Sequence, residues 1–105
     1  MSSLKGNADL LKELGLRSKE YRLAQDLSQQ SLCDKAGLSV STIKKLESGR
    51  GSDLVNLIKI LRALHRLSDL DAIFPQITLK PTERYQLEQK KEKSKRQRAS
   101  KRNKS

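Results

Sequence analysis

The sequence predicts an all-α protein: five helices, then a short extended arm and a basic C-terminal tail. Three observations predict it. Apolar residues recur three and four apart from Leu10 to Phe74, the period of a helix face. Strand-like alternation is confined to Gln76-Ile77-Thr78-Leu79-Lys80, between two prolines. Cap and turn residues (Ser28, Gly37, Ser39, Gly49, Ser52, Pro75) stand where the periodic runs stop.

Residues 1–8 have little apolar content and read as a flexible N-terminus. A helix is expected over residues 9–25, with an apolar stripe of Leu10, Leu11 and Leu14 that Tyr21 continues; Gly15 weakens its middle. Ser28 is placed to cap a second helix over residues 29–36. Gly37-Leu38-Ser39 makes a turn, Ser39 caps a third helix over residues 40–47, and Gly49 stops it. Leu32 and Ala36 share one inward face, Ile43 and Leu46 share the next, and Leu38 plugs the angle between them. After the loop Arg50-Gly51-Ser52, Ser52 caps a fourth helix and Asp53 complements its dipole. Leu54, Leu57, Ile58, Leu61 and Leu64 form its inward run, which His65-Arg66-Leu67 breaks. Ser68 to Asp71 has the form of a capping box, and Leu70, Ile73 and Phe74 give a short fifth helix an apolar face before Pro75.

Residues 9–75 thus form one domain. Residues 76–81 read as an extended arm or a strand; a lone strand would pair with its copy in a second subunit, and an unpaired linker is equally open. Residues 82–105 form the basic tail, with a helix start at Pro81 or Thr82 that fades into disorder.

The net charge of +11 favours an anionic partner, nucleic acid first and an acidic membrane surface second. The excess is uneven. Residues 1–79 hold 12 Lys and Arg against 9 Asp and Glu, while residues 80–105 hold 11 against 3. That shift sets the domain boundary near Pro81. The single cysteine, Cys33, excludes an internal disulfide and the multi-cysteine zinc sites, so no metal and no cofactor is expected. One histidine, no His/Cys set and no Gly-rich phosphate loop argue against an enzyme, and no catalytic residue is expected. No apolar run is long enough to span a bilayer, and no signal peptide is evident; the chain reads as soluble and cytoplasmic.

Two short helices joined by a Gly-containing turn carry the signature of the DNA-binding helix-turn-helix. The outer face of the second holds only small or basic residues: Ser41, Thr42, Lys44, Lys45 and Ser48. A duplex major groove admits one helix and wants donors there, with cations for the flanking phosphates. Lys45 could donate to guanine O6/N7, and Val40 could touch a thymine methyl. The bland alternative is a helical hairpin with a solvated face. The basic tail beside this motif suggests added phosphate contacts.

Residues Leu14 to Phe74 resemble the Cro/CI-type helix-turn-helix domain, the xenobiotic-response-element family of regulators. YRLAQDLSQQSLCDKAGLSVSTIKKLESGRG followed by DLVNLIKILRAL carries the likeness. It implies a lambda-repressor-like five-helix domain that binds a double-stranded DNA operator as a homodimer. It implies DNA contacts for Gln29, Ser39, Val40, Ser41 and Lys45, with Thr42, Lys44 and Arg50 nearby. Gln29 would contact a phosphate and brace the recognition helix. The glutamines with which phage repressors read bases are missing here, so the operator stays open. Arg22 and Glu47 match a pair that forms a largely buried salt bridge, which suits a Glu lying among Ile43 and Leu46. Cys33 stands where the family usually has Ala and reads as a small buried apolar group; His65 reads as a surface or capping residue.

More narrowly, LRALHRLSDLDAIFP, the Pro-bounded arm and KRQRASKR look like HipB-like antitoxins of HipA-kinase toxin–antitoxin systems. That likeness implies a nucleoid-associated homodimer that represses its own operon and binds a HipA-like serine/threonine kinase toxin. The alternative is an antitoxin whose main role is to bind and restrain the kinase. The dimer contact is expected at Leu67, Leu70, Phe74, Ile77 and Leu79, which lack local cover in a five-helix core.

Overall fold

Helices make up the regular structure of the computed structural model, which describes residues 5–102. They are α1 (Asn7–Ala24), α2 (Gln29–Ala36), α3 (Val40–Glu47), α4 (Leu54–Ala63), a 3-10 turn (Leu67–Asp69), α5 (Leu70–Ile73) and α6 (Pro81–Arg102). No strand occurs among the described residues, and residues 75–80 adopt neither helix nor strand. The expected N-terminus and tail end lie partly outside the described residues, and α1 starts at Asn7, two residues ahead of the expected Asp9.

The helix count exceeds the expected five because Pro81–Arg102 is one continuous helix. Pro81 sits at its first position, where a missing N–H costs nothing, and Lys, Arg, Gln and Glu are good helix formers.

The chain divides into two units, Met1–Ile73 and Phe74–Ser105. In the first, α3 packs on α1 and α2, and α2 also packs on α4. Leu32, Cys33, Ile43, Leu46, Ile60, Ala63 and Leu64 are buried, with Leu27, Ala36, Leu38, Val40 and Leu57 packed against them. This aliphatic core suits a chain with 3% aromatic residues.

Two apolar faces differ from their expected setting. On α1, Leu11, Leu14 and Tyr21 stay 37%, 43% and 41% exposed, and the buried positions are Gly15 and Arg22. The helix docks through its smallest residue: a Cβ on Gly15 would collide with the Leu46 carbonyl oxygen and lie 3.0 Å from that of Glu47. Gly15 therefore permits the α1–α3 contact. On α4, Leu54 is 75% exposed and Ile60, Ala63 and Leu64 turn inward with Leu57. The expected run and the observed one share Leu57 and Leu64, so both satisfy a helical period; packing against α2 selects the second.

The caps also shift. Asp53, not Ser52, caps α4: its carboxylate accepts from the Asn56 N–H at 2.7 Å. The capping box expected at Ser68 does not form, because that segment tightens into the 3-10 turn with no side-chain cap. Arg66 makes two hydrogen bonds to Asp69, at 3.0 and 2.9 Å, and lies 4.7 Å over the Tyr21 ring. Gln25 donates to the Leu64 carbonyl at 2.8 Å at the end of α4. His65 is exposed and left-handed (φ 58°), which turns the chain out of α4.

An open groove of about 430 Å³ lies between α1 and α4, lined by Leu11, Leu14, Tyr21, Leu57, Leu61 and Ile73 among others. The leucine stripe of α1 meets this groove and not the core.

Candidate nucleic-acid interface

Helices α2 and α3 begin and end on side-chain and glycine signals that leave little freedom in how they meet. Ser28 accepts from the Ser31 N–H at 3.0 Å, and Ser39 accepts from the Thr42 N–H at 3.4 Å. Gly37 closes α2 in the left-handed region (φ 68°), where a side chain would be strained, and its N–H reaches the Cys33 carbonyl at 2.8 Å. The turn is therefore three residues long and α3 starts at Val40.

Beneath α3 lies an ionic brace. The Arg22 Nε donates to Glu47 Oε2 at 2.7 Å and its Nη2 to Glu47 Oε1 at 2.9 Å, a two-point contact between residues 25 apart in sequence. Their side chains are 7% and 5% exposed. The remaining Arg22 nitrogen donates to the Leu27 carbonyl at 2.8 Å, and Gln29 Nε2 donates to Glu47 Oε1 at 3.2 Å. One carboxylate thus ties the end of α3 to α1 and to the start of α2. The hydrogen bond to Glu47 raises the Arg22 guanidinium above its ordinary value, so Arg22 keeps its charge at any working pH.

With Ile43 and Leu46 buried, helical geometry sends Ser41, Lys44, Lys45 and Ser48 to the opposite side of α3, and all four are exposed. No ion pair among the described residues engages Lys44 or Lys45. Arg50 is exposed just past the helix, with its Nε donating to Ser48 Oγ at 3.1 Å. The face is thus small, hydroxylated and cationic, and a rigid frame presents it.

Four candidates sit differently. Val40 is half-buried and packs against the core, so the free apolar tip expected at the groove is largely used inside the domain. Ser39 and Thr42 share a cluster: the Ser39 hydroxyl lies 2.9 Å from both Ser41 Oγ and Thr42 Oγ1, and Thr42 is half-buried at the helix flank. Gln29 is half-buried and directed at Glu47. Ser48 lies on the outward face as its spacing predicts, beside Lys44, Lys45 and Arg50.

The expected dimer-contact residues belong to two units. Leu67 and Leu70 are half-buried in the first. Phe74 and Ile77, in the second, are 89% and 64% exposed, and Leu79 is half-buried. Cys33 is buried, and burial pushes its thiol up from the ordinary 9.0. Among the described residues no group of three His, Cys, Asp or Glu side chains could hold a metal. Among the described residues no helix is long and apolar enough to cross a membrane.

Residues 19–69 match a protein family described as helix-turn-helix, a range running from the second half of α1 through the 3-10 turn. Over that range, just under half of the chain, it is similar to helix-turn-helix domains, which suggests a DNA-binding transcription regulator. No curated protein matches the chain.

Proposed function

We propose that this chain is a sequence-specific transcriptional repressor that binds its operator as a homodimer, with α3 as the recognition helix. The observation that carries the reading is the outward face of α3. Ser41, Lys44, Lys45 and Ser48 are exposed there on a helix held by the Arg22–Glu47–Gln29 network. Ser41 and Lys45 reach base edges, while Lys44, Arg50 and Gln29 serve the flanking phosphates. Dimerisation through Phe74, Ile77 and Leu79 with Leu67 and Leu70 is supported by the exposure of Phe74 and Ile77. Two subunits place their α3 helices about 34 Å apart, one helical turn of DNA.

The finer role is that of the HipB-like component of a toxin–antitoxin operon, acting in the cytoplasm and partnered by a HipA-like kinase. The sequence likeness over residues 61–102 supports it. Footprinting on the DNA upstream of the chain's own coding sequence tests the repressor reading. A protected near-palindrome with half-sites about 10 bp apart is expected; uniform protection that vanishes with competitor DNA of random sequence would overturn it.

A further inference from the structure

Helix α6 carries its charge in a pattern. Arg84, Lys91, Lys95 and Arg98 follow at intervals of seven, four and three residues. At 3.6 residues per turn these positions fall within an arc of about 60°, a straight stripe roughly 21 Å long. The three glutamates of the helix, Glu83, Glu88 and Glu92, lie outside that arc. All four basic residues are exposed. Among the described residues only Lys91 has a partner, Glu88, at 3.2 Å, and with both side chains 57% exposed that pair is weak and readily exchanged.

We infer that this stripe is a second nucleic-acid contact, one that follows the sugar-phosphate backbone of duplex DNA without reading its bases; the inference rests on the DNA-binding reading of α3. A duplex offers one negative charge per roughly 1.7 Å of its axis, so a 21 Å line of cations meets phosphate wherever it settles. A membrane surface is a poorer match, because a helix lying on lipid needs a broad apolar face and α6 has only Tyr85 and Leu87 as sizeable apolar side chains. Residues 75–80 have no regular structure and, if extended, reach about 20 Å. Once α3 is docked, that tether keeps α6 at high local concentration near the same duplex. The stripe thus adds affinity and salt dependence, while specificity stays with α3.

The test compares two charge-matched triple variants of the full chain on a random 30-bp duplex, by fluorescence anisotropy across a potassium chloride series. The stripe variant is Lys91→Gln/Lys95→Gln/Arg98→Gln. The control is Lys90→Gln/Lys93→Gln/Arg96→Gln, on other faces of the same helix. Gln keeps helix propensity, and circular dichroism checks that both variants retain the parent's helicity. Each phosphate contact contributes about 0.9 to the slope of log K against log salt, so the stripe variant should flatten the slope by about 2.7 and the control by less than about 1. Equal flattening would overturn the stripe in favour of bulk charge. An unchanged slope would also overturn it and direct α6 to an acidic protein surface instead. A parent chain that binds no duplex would overturn the α3 reading as well, which separates the two failures.

Discussion

Arg22 is a charge built into a core. It is 6% exposed, and its cost of burial is met by two hydrogen bonds to Glu47 and one to the Leu27 carbonyl. Glu47→Ala would leave that cation without its counter-charge. We expect a loss of about 3–5 kcal/mol in urea unfolding, against less than about 0.5 kcal/mol for Lys19→Ala on the exposed side of the same helix. Gly15 makes the opposite point, since propensity alone says that Ala there should stabilise α1 by about 1 kcal/mol. The Leu46 carbonyl occupies the space a methyl would need, so Gly15→Ala should instead destabilise by about 1–3 kcal/mol. The sign of the change in melting temperature decides between them. Cys33 bears on pH. Burial raises its thiol above the ordinary 9.0, so the neutral thiol's stabilisation is fully present below that value and lost as pH rises through the shifted one. Thermal melts between pH 8 and 10.5 should fall more steeply for the parent than for Cys33→Ala.

Among the elements, α3 was the most legible. Its caps, its inward pair Ile43 and Leu46 and its outward Lys44 and Lys45 all follow from spacing, because a short helix bounded by Ser39 and Gly49 leaves one register open. Lys45→Ala should weaken binding to the footprinted site by about 1–3 kcal/mol if it reads a base, and leave binding to random duplex nearly unchanged. Competition binding with both duplexes measures the two together. The settings of α1 and α4 were less legible. A period marks which residues share a face; it does not mark which of two overlapping faces meets a neighbour. Leu57 and Leu64 belong to both candidate faces of α4, and the docking face of α1 is built from a glycine and an arginine, which hydrophobic periodicity passes over.

For the molecule as a whole, the first unit is small, and its core is a single aliphatic cluster with an open groove of about 430 Å³ beside it. Leu11, Leu14, Phe74 and Ile77 remain well exposed in one chain. Sedimentation velocity at micromolar concentration should show a dimer that Phe74→Ser/Ile77→Ser shifts toward monomer. The same double variant should lose tight binding to the near-palindrome while keeping the circular dichroism of the parent, because its changes lie outside the core of the first unit. A parent chain that stays monomeric would sink the two-half-site geometry.

Local chemistry alone was enough for the helical class, for the Gly37 turn and for which side of α3 faces away from Ile43 and Leu46, since caps, turns and short-range periodicity act over a few residues. Packing between distant segments decided the rest. It brought Arg22 to Glu47 across 25 positions, set Gly15 against the Leu46 carbonyl, chose the inward face of α4 and left the leucines of α1 lining a groove. Those outcomes depend on how closely two helices can approach and which polar groups must find partners once water is excluded, quantities that no single segment carries.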